Sequence, residues 1–166
     1  MVISILCVDK NYGIGKNNGL LFRLPKDMDF FKEQTNGHIV YMGEKTLLSF
    51  PNSKPLKNRV NVVLSQDETH NYEGCINFHN FEDFIKNIQE KGRISDVYII
   101  GGASIYKQTL PYVDRVLLTK VEADGGATLF FENLDNDPDF QCVYESEPIQ
   151  DGKYKIRFTT YIKKSN

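Results

Sequence analysis

No stretch of this chain approaches the ~20 consecutive apolar residues that a membrane span needs. Its first run, Met1 to Val8, has no basic region ahead of it and reads as a strand rather than a signal peptide. An excess of one charge is missing too. A net charge of −2 gives no electrostatic case for nucleic acid or an anionic membrane as partner. Cys7, Cys75 and Cys142 are odd in number, far apart and form no CxxC pair. That spacing argues against a zinc site or a disulfide framework and for a reducing, cytoplasmic setting. His38, His70 and His79 fall in no metal-ligand spacing, and no serine or cysteine has a visible triad. No repeat, linker or low-complexity tract interrupts the 166 residues. They are expected to form one domain, 1–166, with a monomer as the default for its size.

What is present is an alternation of short apolar runs and helical patterns. Residues 2–8 form a nearly continuous apolar run, as in a strand buried on both faces. Residues 9–19 are a long loop with three glycines, a length often given to lids and binding loops. Further strands are expected at 38–42, 60–64, 75–78, 97–100 and 115–121. Helices are expected from Pro25 to about Asn36, from Glu44 to about Phe50, over Phe81, Phe84, Ile85 and Ile88 behind an Asn80 N-cap, and from Ala103 to Thr109. Residues 122–139 read as loop. Tyr154, Ile156, Phe158, Thr160 and Ile162 then alternate with polar residues, the period of an antiparallel strand, with 140–145 as its hairpin partner. Strands alternating with helices before a final hairpin predict an α/β fold: a mostly parallel sheet with an antiparallel edge and helices on both faces.

The chemistry concentrates in a few places. Leu24, Asp27, Met28, Phe31 and Thr35 fall on one face of the first helix, which is apolar except for one carboxylate. Asp27 is open to two readings. It is a first-turn acid that complements the helix dipole, or a lone acid in an apolar cleft, suited to delivering a proton to a bound base. Gly43 before Glu44-Lys45-Thr46, and Gly101-Gly102 before Ala103-Ser104, are two strand-to-helix turns of one design. Both lie at C-terminal strand ends, where ligands bind in parallel sheets and helix N–H groups attract phosphate. Neither is a GxGxxG loop. Leu56-Lys57-Asn58-Arg59 offers either a solvated loop or an Arg fork for a carboxylate. Thr119 either satisfies itself on the backbone or orients a carboxylate.

Taken in order, these pieces resemble the dihydrofolate reductase family over nearly the whole chain. The marks are Gly13-Ile14-Gly15-Lys16-Asn17, Leu24-Pro25-Lys26-Asp27-Met28, Phe31-Lys32, Met42-Gly43-Glu44-Lys45-Thr46, Arg59, Leu64-Ser65, Ile100-Gly101-Gly102-Ala103-Ser104-Ile105-Tyr106 and Leu118-Thr119. The resemblance implies a three-layer fold with an eight-stranded sheet and four main helices. It also implies reduction of 7,8-dihydrofolate to tetrahydrofolate by hydride from NADPH, in support of one-carbon metabolism and thymidylate synthesis. Asp27 would hold the pterin and assist protonation of its N5, and Thr119 would orient the Asp27 carboxylate. Ile5, Cys7, Met28, Phe31, Phe50, Leu56 and Ile100 would line the folate cleft, with Lys32 and Arg59 toward the glutamate tail. Cys7 and Ile100 would also flank the nicotinamide, with Tyr106 beside it. Gly43, Lys45, Thr46, Gly101, Gly102, Ala103, Ser104 and Ile105 would hold the pyrophosphate and ribose, with a cis Gly101-Gly102 peptide. Residues 13–22 would form the lid, with Ile14, Gly15, Asn18, Gly19 and Leu20 against the cofactor. Glu44, Leu64, Ser65 and Gln66 would stand at its far end.

Three positions depart from the family pattern. The lid usually reads Pro-Trp where this chain has Leu21-Phe22, so a ring is kept and an indole donor lost. Arg commonly follows Met-Gly to meet the NADPH 2′-phosphate; here Glu44 repels it, with Lys45 and Ser65-Gln66 as compensating groups. An Asp often found before a Thr behind the lid is replaced at Ala127-Thr128. Other readings stay open. A related-fold pyrimidine reductase of riboflavin synthesis would share the cofactor turns without needing Asp27, Met28 and Phe31 together. A non-catalytic nucleotide-binding protein would not need Asp27, Thr119 and Arg59. A plain scaffold or interaction module has no exposed motif behind it.

Overall fold

In the computed structural model, which describes residues 1–16 and 19–165, the predicted alternation becomes a layered α/β architecture. Its strands are β1 (Val2–Val8), β2 (Gly13–Gly15), β3 (Ile39–Gly43), β4 (Val60–Leu64), β5 (Cys75–Phe78), β6 (Val97–Ile99), β7 (Arg115–Val121), β8 (Leu129–Phe130), β9 (Phe140–Glu145), β10 (Ile149–Asp151) and β11 (Tyr154–Lys163). The helices are α1 (Pro25–Thr35), α2 (Glu44–Ser49), α3 (Phe81–Gly92) and α4 (Ala103–Thr109).

The main sheet runs β10-β11-β7-β1-β6-β3-β4-β5, and β9 also pairs with β11. Every pairing from β7 to β5 is parallel, whereas β11 is antiparallel to β7 and to both β9 and β10. Because β1 is central and apolar in alternate directions, its side chains build two cores. Ile3 and Ile5 join Val40, Met42, Val63, Ile100 and Leu117 on one face, closed by Leu47 of α2 and by Phe30 and Phe31 of α1. Val2, Leu6 and Val8 join Tyr41, Val62, Ile99 and Leu118 on the other, under Phe84, Ile85 and Ile88 of α3 and Ile105 and Tyr106 of α4. Burying each large aliphatic or aromatic side chain favours this arrangement by roughly 1.5–3 kcal/mol. The Asn80 side chain accepts the Asp83 N–H and caps α3 as expected.

Three stretches differ from the sequence reading: the expected 9–19 loop contains the short strand β2, too brief and glycine-rich to carry an apolar period. The 122–139 segment contains β8, which pairs antiparallel with β2, Gly13 opposite Phe130 and Gly15 opposite Leu129. Both β8 residues are exposed, so no burial alternation marks it. The 140–145 strand does pair with β11, but the connection between them folds into β10. The tight hairpin is therefore β10–β11, turning through Gly152 at φ 60°. Among the described residues no helix is long and apolar enough to cross a membrane.

Candidate active site

The site is built where α1 starts over the seam between β1, β7 and β11. Pro25 opens the helix, and the preceding Leu24 is anchored, 3% exposed, against Val121 and Ile156. Parallel register sets Cys7 of β1 beside Thr119 of β7, and antiparallel register sets Thr119 beside Phe158 of β11. These three side chains share one face of the sheet. Asp27 comes down on this row: the Thr119 hydroxyl donates to its Oδ1 at 2.7 Å. Phe30, three residues on, stacks on Phe158 with ring centroids 4.6 Å apart.

Burial raises the Asp27 carboxyl above its ordinary range and the charge of Asp151 adds to this, while the Thr119 hydroxyl and Cys7 thiol oppose it. Burial also pushes the Cys7 thiol well up, with Asp27 as the next cause. Asp27 is the acid of a cleft otherwise lined by Cys7, Ile14, Leu20, Leu21, Phe22, Leu24 and Met28. An apolar wall disfavours the ionised form of such a group, so it keeps its proton to higher pH than a solvated carboxylate does.

Along the cleft from Asp27, Phe31, Phe50 and Leu56 pack half-buried on the core that contains Ile5 and Ile100. Met28 is 44% exposed, as fits a wall residue rather than a core residue. Thr35 closes the helix, fully buried, its hydroxyl donating to the Phe31 carbonyl. Arg59 is held from two sides, Nε donating to the Lys57 carbonyl at 2.9 Å and Nη1 to Thr35 Oγ1 at 3.4 Å. Burial lowers its pKa, and among the described residues no carboxylate pairs with it. Lys32 is exposed on α1.

The two glycine turns meet. The Gly43 N–H donates to the Gly101 carbonyl at 2.9 Å, and the Gly101-Gly102 peptide is cis, as the resemblance implied. A Cβ on Gly43 would stand 3.0 Å from Ile105, and one on Gly101 would stand 3.3 Å from the Tyr106 ring. The helices that follow, α2 and α4, both start without a side-chain cap, so backbone donors of both face the junction. Thr46 Oγ1 lies at this junction, 3.4 Å from where a Gly101 Cβ would be. Ala103 and Ser104 open α4, and Tyr106, buried, donates its hydroxyl to the Ile5 carbonyl at 2.7 Å. Lys45 and Gln66 are exposed at the rim, next to the ends of β3 and β4.

Glu44 is already engaged. Its Oε2 accepts from Ser65 Oγ at 2.6 Å, Tyr72 OH at 2.7 Å and His70 Nδ1 at 2.7 Å. The Ser65 and Tyr72 hydrogen bonds lower its pKa, with His70 adding to them. Leu64 and Ser65, both buried, bring this corner to the end of β4.

At the cleft, Phe22 packs edge-on against Tyr154 of β11 at 4.7 Å between centroids. Leu21 and Phe22 also close on Gly125, where a Cβ would stand 3.0 Å from each. Ile14 and Gly15 sit in or beside β2, and Gly19 and Leu20 are exposed. Asn18 lies outside the described residues.

Two acids at the site were not legible in the sequence. Asp9, 2% exposed, accepts the N–H groups of Asn11, Gly13 and Gly125 and so ties the segment at 11–13 to the loop at Gly125. Asp151, 1% exposed, accepts the N–H groups of Lys26 and Asp27 from across the sheet. Asp-Gly at 151–152 signals only a turn, and nothing in the pattern says which helix the acid will meet.

Comparison with known proteins places this geometry in context. A family model described as dihydrofolate reductase matches residues 1–163. The chain is similar to a dihydrofolate reductase of Bacillus subtilis, 31% identical over 168 residues, covering 100% of this chain and 96% of the relative. One from Staphylococcus haemolyticus is 32% identical over 159 residues, covering 95% and 92% of the two chains. Among solved structures, a dihydrofolate reductase from Enterococcus faecalis complexed with NADP(H) and RAB-propyl superimposes with a TM-score of 0.87 at 26% identity, covering 99% of this chain and 97% of that one.

Proposed function

The chain belongs to the dihydrofolate reductase family, and we propose that Asp27 assists protonation of the pterin N5 as 7,8-dihydrofolate is reduced to tetrahydrofolate. The enzyme is an NADPH-dependent reductase, and its product feeds one-carbon metabolism. The observation that carries the role of Asp27 is its setting: an acid with a raised pKa in an apolar cleft, its carboxylate oriented by the 2.7 Å Thr119 hydrogen bond.

The cofactor supplies a hydride when bound. The residues present fit most of it. Two uncapped helix starts, and glycines at Gly43 and Gly101 where a side chain would crowd its neighbours, offer backbone donors to a pyrophosphate. Gly102, Ala103, Ser104, Ile105, Lys45 and Thr46 belong to the same cradle. Ile5, Met28, Phe31, Phe50, Leu56 and Ile100 supply the apolar walls for the pterin and the ring beyond it. Lys32 and Arg59 stand ready for the tail carboxylates, Arg59 as a planar fork. Cys7, Ile14, Gly15, Leu20 and Tyr106 close the nicotinamide end and exclude water. At the far end Gln66 offers a donor beside Glu44, which already accepts the Ser65 hydroxyl proton.

The chain's own residues therefore bind, orient, dry the site and hold one proton. Absorbance at 340 nm with dihydrofolate and NADPH tests the activity. Asp27→Asn should then lower turnover at neutral pH by ~10² or more, the scale of a lost general acid–base group. Near wild-type turnover in that folded variant would remove the role.

A further inference from the structure

Helix α1 lacks a cap of its own. Leu24, at the N-cap position, has no polar side chain, and Pro25 has no N–H. The first free donors are the N–H groups of Lys26 and Asp27, and each finds one carboxylate oxygen of Asp151, Oδ1 and Oδ2, at 3.1 Å. The grip is two-pronged and comes from more than a hundred residues away. It is also braced: Asp151 ends β10 opposite Tyr154, Gly152 makes the turn, and Lys26 Nζ donates to the Gln150 carbonyl at 2.7 Å. Asp151 is 1% exposed, and among the described residues no cation pairs with it. A neutral Ser or Asn would cap the helix as well. A buried charge is an expensive substitute unless its field is used.

We propose that Asp151 is a positioning residue for Asp27: its carboxylate fixes the main chain from which Asp27 projects and sets a negative charge against the acid that serves the pterin. This rests on the reading of Asp27 as that acid. Among the described residues the groups facing Asp27 are few. Thr119 of β7 donates to it, and Cys7 of β1 lies beside it with its thiol held protonated by burial. Tyr106 of α4 feels Asp27 but is buried, and its hydroxyl is engaged on Ile5. On α1 itself, Lys26 turns its ammonium to Gln150. Asp151 is thus the negative charge whose field falls on Asp27, and it pushes the Asp27 carboxyl upward. It also occupies the helix N–H groups that would otherwise stabilise an ionised Asp27. Both effects keep the proton on Asp27 to higher pH.

The test compares wild type, Asp151→Asn, Asp151→Ser and Asp27→Asn. Dihydrofolate reduction with saturating NADPH is followed from about pH 5 to about pH 9, where a general acid shows an alkaline limb. The 13C titration of the Asp27 carboxyl, assigned by its loss in Asp27→Asn, is followed in parallel. Asn keeps the shape of Asp151 without its charge, and Ser keeps a hydroxyl acceptor for the helix. The expected result is that both shift the alkaline limb and the carbon titration to lower pH. Turnover near pH 8 should fall about three- to tenfold, while the low-pH rate stays near wild type. A limb and a titration that stay in place, whatever happens to thermal stability, would make Asp151 a cap and nothing more, overturning the proposal. Loss of the fold in both Asp151 variants would do the same, by assigning the residue to stability alone. Should Asp27→Asn itself keep the wild-type limb, the reading of Asp27 fails and takes this proposal with it. An Asp27→Asn without the limb, beside unmoved Asp151 variants, would remove only the role of Asp151.

Discussion

Thr119 Oγ1 donates to Asp27 Oδ1 at 2.7 Å, joining the first turn of α1 to the middle of β7 across 92 residues of chain. The bond stabilises the ionised carboxylate and so lowers the Asp27 pKa against the stronger effect of burial. Thr119→Val keeps the shape and removes the donor. The alkaline limb of the rate profile should then move to higher pH, opposite to the direction expected for Asp151→Asn. With Asp27 no longer oriented, kcat/KM at neutral pH should drop roughly tenfold, in line with a hydrogen bond to a charged group. Thr119→Ser should restore both. A valine variant with an unmoved limb would separate Thr119 from the acid.

Asp27 should cost the protein stability at the pH where it is ionised. Its folded pKa is raised above the unfolded value, chiefly by burial. The stability it contributes is therefore present below the unfolded pKa and lost as pH rises through the folded one. Asp27→Asn should melt ~2–4 °C above wild type at pH 8 and show little difference near pH 4. Thermal scans at the two pH values check this; an equal difference at both would locate the effect elsewhere.

Glu44 should govern the choice between nicotinamide cofactors. Hydrogen bonds from Ser65 and Tyr72, then His70, hold its carboxyl below the usual range, so it is charged at neutral pH. A fixed anion disfavours a 2′-phosphate, whereas Arg binds one in two-point fashion. Glu44→Arg should raise the ratio of kcat/KM for NADPH over NADH about tenfold or more. Steady-state rates with each cofactor measure it, and an unchanged ratio would take Glu44 out of the phosphate's reach.

Asp9 should be a structural tie between the segment at 11–13 and the loop at Gly125. Asp9→Ala leaves three N–H groups, of Asn11, Gly13 and Gly125, without their acceptor. An unsatisfied buried donor costs about 1–3 kcal/mol, so a loss of ~5 °C or more in melting temperature is expected. Amide exchange at Gly13 and Gly125 should rise together, because one carboxylate holds both. Independent changes at the two would contradict a shared anchor.

How legible all this was depends on the range of the physics involved. Periodicity is local, and it placed β1, α1, α3 and β11 close to their observed bounds, because alternate apolar residues must face a core wherever that core lies. The apolar face around Asp27, the two glycine turns and Arg59 could be read from short motifs for the same reason. The sequence also limited which chemistry was available: one acid on an apolar stripe, two glycine turns at strand ends of the kind that attract phosphate, and histidines and cysteines in no metal-ligand spacing. Its resemblance to a family joined them.

Tertiary structure alone decided who meets whom. That Thr119, Cys7 and Phe158 form one row under α1 follows from the register of three strands distant in sequence. The meeting of Gly43 with Gly101 depends on β3 and β6 being neighbours. β8 escaped the reading because two exposed residues carry no period, and β10 because a three-residue strand looks like part of its turn. Asp9 and Asp151 were silent for a deeper reason. A carboxylate in a turn is ordinarily solvated, and only the folded chain, by bringing unsatisfied N–H groups against these two, turned them into buried acceptors.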